Sequence, residues 1–250
     1  MSRFLISCGG TGGHLAPGIA LAEGLRDRGH ETVLLVSRKQ VDERLGAKYP
    51  HFRFERMPGT GFSGQPARLV RFLVGQAQAV WCCGRLLRRW RPEGVVGFGG
   101  FTSAAPALAA RLLGVPVALH ESNRAPGRAV CLVGRLAQRV YLPPGVCLRG
   151  IRAGATRHVG LPVWREIRRL PRADARAALG LAPAGRLLGV LGGSQGAEAL
   201  NAWAESQLDG FARVGIQLYV VTGLGKDRPG VAAGPTGEGE GPRAVFTPFC

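Results

Sequence analysis

The chain has 250 residues, enough for one large domain or two modest ones, and is 46% apolar, enough for a sizeable core. Its 33 basic and 16 acidic residues give a formal charge of +17, and all but Lys39, Lys48 and Lys226 of the basic residues are arginine. A GC-rich coding sequence favours arginine, and an anionic surface attracts it. No motif for DNA or RNA accompanies the charge, so the expected partner is an anionic membrane surface and not a nucleic acid. The cysteines Cys8, Cys82, Cys83, Cys131, Cys147 and Cys250 form no CxxC pair, and a strand begins almost at the first residue. Buried, reduced thiols in a cytoplasmic protein are expected. The longest apolar stretch, Ala104 to Leu119, is broken by Arg111 and Pro116 and is too short to span a bilayer.

Strand and helix patterns alternate along the chain. A strand at Arg3–Cys8 leads through Gly9-Gly10-Thr11-Gly12-Gly13-His14 into a helix at His14–Arg28, with Gly29 where a C-cap belongs. Strands follow at Glu31–Val36 and Phe52–Glu55. A long helix is expected at Arg68–Trp90 and a strand at Gly94–Gly97. The run Gly97-Phe98-Gly99-Gly100-Phe101-Thr102-Ser103 then opens a helix over Ser103–Leu113, with Ser103 as its N-cap. A strand at Val115–Leu119 ends in the polar quartet His120-Glu121-Ser122-Asn123. A helix at Gly127–Leu136 and a strand at Arg139–Leu142 complete the first half. This order implies a parallel sheet with right-handed crossovers, a Rossmann-like α/β domain.

The pattern breaks at Val159-Gly160-Leu161-Pro162, so a domain boundary is expected there, giving domains of 1–162 and 163–250. A helix at Arg172–Leu179 precedes a second strand–glycine–helix unit. That unit is Leu187–Leu191, Gly192-Gly193-Ser194-Gln195-Gly196-Ala197, then Glu198–Gln207. Strands at Ile216–Val221 and Ala244–Phe246 flank a Gly/Pro-rich segment, Gly223–Gly241, expected to be a loop. About three strands are expected here, fewer than a whole domain of this class carries.

Glycines at a strand-to-helix turn let backbone N–H groups approach an anion, and the helix dipole favours negative charge there. The same dipole disfavours an imidazolium at His14, which leaves a neutral ring able to accept a proton. A phosphate cradle with a base beside it points to a transferase using a nucleotide-activated substrate. A dinucleotide fingerprint starting at Gly10 fails at Leu15, and the second strand ends in Val36-Ser37-Arg38 without an acidic residue. Arg38 would suit only a 2′-phosphate, and a Walker A lysine is absent. The loops at 9–14 and 97–103 fall on neighbouring carboxyl ends of one sheet, which suits a diphosphate held by Gly10, Gly99, Gly100 and Ser103. No Asp-x-Asp motif is present to hold a metal, and no cofactor is expected.

The motifs GGTGGH, GFGGFTS, GVPVALHESN and GGSQGAEALN, in this order and spacing, resemble the MurG family of GT-B glycosyltransferases. The resemblance runs from about residue 3 to 250. It implies two Rossmann-like domains with parallel sheets, the second incomplete here. It implies inverting transfer of N-acetylglucosamine from its UDP sugar to N-acetylmuramyl-pentapeptide on undecaprenyl diphosphate, turning lipid I into lipid II. It implies a peripheral place on the cytoplasmic face of the bacterial inner membrane. Carried over residue by residue, His14 matches the candidate base, and Thr11, Gly12 and Gly13 match the loop near donor sugar and acceptor diphosphate. Asn123 matches a site asparagine, and Ser194, Gln195 and Gly196 match the loop that holds the UDP diphosphate.

Phe101 stands where the family has tyrosine, Ser122 where it has glutamine, and Val130 where it has asparagine. Gly160-Leu161-Pro162-Val163-Trp164 puts Arg165 one place later than the family's donor-phosphate arginine. The family pattern continues with a glutamate at the uridine ribose and a glutamine pair at the sugar, which these 250 residues do not contain. Two other readings stay open at this point: a binding-only chain, and a GT-B transferase with another acceptor. Residues 66–91 interleave Arg68, Arg71, Arg85, Arg88, Arg89 and Arg91 with Phe72, Leu73, Trp81, Leu86, Leu87 and Trp90, an arrangement expected to form an interfacial patch.

Overall fold

The computed structural model describes residues 1–37, 43, 46–58, 66–100, 102–152, 154–193, 196–226 and 244–248, with the backbone alone for 66–71, 128 and 129. The chain divides into two units, Met1–Ile167 and Arg168–Cys250.

The first unit is built on seven parallel strands. In chain order they are β1 (Arg3–Ser7), β2 (Glu31–Val36), β3 (Arg53–Arg56), β4 (Gly94–Gly97), β5 (Val117–His120), β6 (Arg139–Leu142) and β7 (Thr156–His158). Their spatial order is β3-β2-β1-β4-β5-β6-β7, so the order reverses between β1 and β4. Open α/β sheets bind ligands at the carboxyl edge beside such a reversal. The central strands are apolar on both faces because helices cover both, as parallel sheets require. Leu5 aligns with Val33 on one side and Val95 on the other. Leu5, Val33, Val95, Leu119, Val140 and Leu142 are all buried, each contributing roughly 1.5–3 kcal/mol of burial.

Helices α1 (Gly12–Arg26), α2 (Pro66–Trp90), α3 (Ala104–Leu112) and α4 (Arg128–Val133) link these strands, and a short 3₁₀ turn (Gly134–Leu136) follows α4. Gly29 closes α1 as expected. Its N–H donates to the Arg26 carbonyl (2.9 Å), and the His30 N–H reaches back to Leu25 (3.0 Å). The small residues Ala105, Ala107, Ala109 and Ala110 bury α3 in the core together with Ala79 and Leu87 of α2.

Several expectations shift. Strand β5 starts at Val117, because the Val115 N–H is spent closing α3 on the Ala110 carbonyl, and it runs on to include His120. Strand β7 carried no sequence signal, since an edge strand reading Thr-Arg-His has no buried alternation to display. Cys8 and Cys83 are buried, and Cys83 donates to the Met57 sulfur, but Cys131 and Cys147 are exposed, which corrects the expectation of buried thiols. Burial pushes the Cys83 thiol up to about 12. Cys250 lies outside the described residues.

The second unit carries three parallel strands, β8 (Arg186–Leu191), β9 (Ile216–Val221) and β10 (Ala244–Thr247), in the order β10-β9-β8. Its helices are α5 (Arg172–Ala178), α6 (Glu198–Ser206) and α7 (Leu208–Arg213). Val190, Ala204, Leu218, Val220 and Ala244 form its core. Arg176 is buried, and its guanidinium donates to the carbonyls of Ala182 and Ala184 and to Gln217 Oε1, tying α5 to β9. Most of the expected loop Gly223–Gly241 lies outside the described residues.

Asn201 locks α6 to the end of β9 by donating its Nδ2 to the Thr222 carbonyl (2.9 Å). Both residues are fully buried, so Asn201→Ala leaves an unpaired carbonyl and costs about 1–3 kcal/mol. Urea unfolding of the second unit checks this, and an unchanged midpoint would contradict the lock.

Candidate active site

Strands β1, β4 and β5 are neighbours and parallel, so their carboxyl-terminal loops lie side by side on one edge. The first loop runs from Cys8 to the start of α1. Gly9 has no room for a side chain, because a Cβ there would sit 2.3 Å from the Ser37 nitrogen at the end of β2. Thr11 is the N-cap of α1, and its carbonyl accepts the N–H groups of His14 and Leu15, both at 3.1 Å. The first turn therefore aims its backbone N–H groups at the carboxyl edge.

The second loop is fastened to the first by buried hydroxyls. Ser7 Oγ donates to the Thr102 carbonyl (2.7 Å), and Thr102 Oγ1 donates to the Gly9 carbonyl (2.8 Å). Gly99 and Gly100 both adopt positive φ, 85° and 70°. A Cβ on Gly100 would stand 3.2–3.3 Å from Cε1 and Nδ1 of His14. Thr11 Oγ1 lies 3.1 Å from the same Nδ1. The His14 ring is therefore held where the two glycine loops meet.

The third loop, after β5, is organised by Glu121, which is 2% exposed. Its carboxylate accepts the Asn123 N–H (2.9 Å), the Asn123 Nδ2 (2.8 Å) and the Gly127 N–H (2.8 Å). Bonds to a charged acceptor are about twice as strong as neutral ones, which sets Asn123 firmly while leaving it exposed. Val130, where the family has asparagine, is buried, and its Cγ2 lies 3.3 Å from the position of a Gly99 Cβ.

The structure thus gathers Gly10, Thr11, Gly12, Gly13, His14, Gly99 and Gly100 on one edge, with Asn123 on the adjoining loop. Ser103 stands at the N-cap position of α3, as expected. It makes no side-chain cap bond, and its buried hydroxyl donates to the Gly99 carbonyl (2.6 Å), which braces the loop from behind. Arg165 is not brought to this group. Its guanidinium pairs with Asp27 and its N–H donates to Glu23 Oε2 (3.2 Å), at the far end of α1. Fifteen residues of helix, about 22 Å, separate that end from the glycine loop. Trp164 beside it stacks on Tyr49 (6.0 Å), whose hydroxyl donates to Glu166 Oε1 (2.8 Å). Burial, then that bond, push the Tyr49 phenol above its ordinary range. Ser7, Thr102 and Glu121 were not singled out by sequence reasoning. The signal for Ser7 was a lone polar residue at the carboxyl end of an apolar strand, whereas Thr102 and Glu121 stood inside motifs already noted without a role of their own.

In the second unit, Gly196 donates its N–H to the Gly193 carbonyl (3.0 Å) just before α6. Ser194 and Gln195, and Phe101 in the first unit, lie outside the described residues.

On α2, Trp81, Leu73 and Val74 are 66%, 57% and 53% exposed, and the Arg85 guanidinium lies 5.9 Å from the Trp81 ring centre. Leu87 is buried, and Leu86 and Trp90 pack against the core, so these three leave the expected surface patch. The side chains of Arg68 and Arg71 lie outside the described residues.

The Glycosyltransferase family 28 N-terminal domain matches residues 4–142. A relative from Opitutus terrae, named UDP-N-acetylglucosamine–N-acetylmuramyl-(pentapeptide) pyrophosphoryl-undecaprenol N-acetylglucosamine transferase, is 56% identical over all 250 residues. A relative of the same name from Xanthomonas campestris pv. campestris is 40% identical over 198 residues, 79% of this chain. The chain spans 66% of the first relative and the match covers 44% of the second. Among solved structures, Acinetobacter baumannii MurG superposes with a TM-score of 0.65 at 22% identity, covering 100% of this chain and 69% of that one. The Streptomyces glycosyltransferase SsfS6, complexed with thymidine diphosphate, gives 0.59 at 14% identity, covering 100% and 72%. These two likenesses establish the GT-B fold.

His120 ends β5 with its ring buried, its Nε2 3.3 Å from the Gly160 carbonyl and 5.2 Å between its ring and that of Phe98. Its Nδ1 has no hydrogen-bond partner among the described residues. Burial lowers its pKa, against smaller opposing effects of the Gly160 bond and Glu121. The unfolded chain therefore takes up this proton first as the pH falls. The stability contributed is full above about pH 6.5 and is lost below it. Melting curves at about pH 7.5 and about pH 5 should show a smaller loss of Tm in His120→Gln than in the unaltered chain, and equal losses would contradict a buried neutral ring.

Proposed function

Because the chain belongs to glycosyltransferase family 28, and within it to the MurG group, we propose that it transfers N-acetylglucosamine from UDP-N-acetylglucosamine to the lipid I acceptor, N-acetylmuramyl-pentapeptide on undecaprenyl diphosphate. The observation that carries this reading is the His14 ring, clamped where two glycine loops meet at the carboxyl edge. The acceptor's diphosphate rests on the N–H groups of the loops at 9–14 and 97–100, and Asn123 faces the same edge. The donor's diphosphate rests on the residues before α6, at Ser194, Gln195 and Gly196. His14 takes the proton of the acceptor C4 hydroxyl as that oxygen bonds to the anomeric carbon. The bond from that carbon to UDP breaks with inversion, and backbone N–H groups with the α6 dipole stabilise the departing diphosphate.

A polyprenyl acceptor stays in the bilayer, so the enzyme works on its surface. Trp81, Leu73 and Val74, flanked by Arg85 and Arg88, have the composition of an interfacial site. Among the described residues no helix is long and apolar enough to cross a membrane, which fits a peripheral place on the cytoplasmic face of the inner membrane.

A transfer assay with labelled UDP-N-acetylglucosamine and a short-chain lipid I analogue tests the reaction. We expect glycolipid product, with kcat about 100- to 10,000-fold lower in His14→Ala. A loss below about tenfold would remove His14 from the base role, and absence of any product would contradict the transfer. Vesicle sedimentation tests the membrane face. Binding should rise with anionic lipid, fall with salt and weaken in Trp81→Ala, whereas equal binding to neutral vesicles at high salt would contradict it.

A further inference from the structure

We propose that Thr11 sets the tautomer of His14, holding the proton on Nδ1 and the lone pair on Nε2. The inference rests on the reading of His14 as the base.

Threonine at an N-cap ordinarily turns its hydroxyl onto the N–H of the second or third helical residue. Thr11 has the extended backbone for it (φ −153°, ψ 156°), and His14 is the third residue of α1. The cap bond is nevertheless not made. The His14 N–H goes to the Thr11 carbonyl instead (3.1 Å), and the hydroxyl lies 3.1 Å from the ring Nδ1. Gly100 closes the other side of that nitrogen, with space for no side chain between. The hydroxyl has been diverted from the backbone to the imidazole of the same turn.

A neutral imidazole carries one N–H and one lone pair. With Nδ1–H donating to Thr11 Oγ1, the lone pair stays on Nε2, and that nitrogen can take the acceptor's proton. The reverse arrangement, with the hydroxyl donating to Nδ1, places a proton on Nε2 and abolishes the base. A second group fixing the base's tautomer through its other ring nitrogen is a recurrent requirement of histidine chemistry. Thr11 is thus a positioning residue that acts through His14. Serine keeps the oxygen, and valine keeps the shape without it.

The experiment is a ¹⁵N-resolved spectrum of the ring nitrogens in the 250-residue chain, without substrates, at a pH where the ring is neutral. The His14 signals are assigned among the five histidines by their loss in His14→Gln. We expect Nε2 at the lone-pair position in the unaltered chain and in Thr11→Ser. In Thr11→Val it should shift towards the protonated position, with the other four histidines unmoved as the sign of an intact fold. An Nε2 protonated in the unaltered chain overturns the proposal without any variant, as does a tautomer unchanged in a folded Thr11→Val. The spectrum needs no turnover, so it fails separately from the transfer assay. An Nδ1–H ring with no His14-dependent product would sink the functional reading alone. An Nε2–H ring with His14-dependent product would sink the tautomer role alone.

Discussion

Two buried hydroxyls hold the rest of this site in place. Backbone groups leave the ladder at the ends of β1 and β4, and the chain there is too deep for water to satisfy them. Ser7 answers the Thr102 carbonyl and Thr102 answers the Gly9 carbonyl, all out of solvent. A buried carbonyl stripped of its partner costs about 1–3 kcal/mol, so the pair fixes the spacing of the two loops as well as their existence. That spacing is what brings Gly99 and Gly100 against the His14 ring. A glycine loop alone is a common anion site. Two of them clasped around one imidazole make a place where a diphosphate and a reacting hydroxyl can be held together.

The third loop follows the same logic with a charge in place of a hydroxyl. Glu121 is buried and uses both oxygens on the backbone and side chain of the segment it organises. Its negative charge is compensated by N–H groups alone in these bonds, and it leaves Asn123 exposed at the edge. All three loops spring from adjacent parallel strands beside the reversal of strand order, so topology supplies the convergence and a few polar side chains supply the precision.

The parts legible in the sequence are those where local chemistry and fold agree. GGTGGH could be read because glycines after an apolar strand have few structural reasons to cluster, and β2, β4 and β6 span the residues expected of them. The side of a helix that faces the core was not legible. Leu86, Leu87 and Trp90 share an amphipathic pattern with Trp81, and only packing against α3 separates the buried from the exposed. Ser103 read as a cap and stands at that position, yet its hydroxyl turns back to the Gly99 carbonyl and makes no bond to the helix N–H groups. Arg165 stands one residue out of step with the family's donor-phosphate arginine, and its ion pair with Asp27 depends on a contact 138 positions away in sequence. Arg176, one arginine among many, gives no sign in the sequence of the carbonyl cage that buries it.

A single diphosphate cradle made from the loops after β1 and β4 has one signature that two separate anion sites lack. That signature is read by following the backbone amides of Gly12, Gly13, Gly99 and Gly100 by NMR while the chain is titrated with inorganic diphosphate. All four should shift together with one dissociation constant, and in Thr102→Val the two loops should lose that common response. Shifts confined to one loop, or two unrelated constants in the unaltered chain, would contradict it.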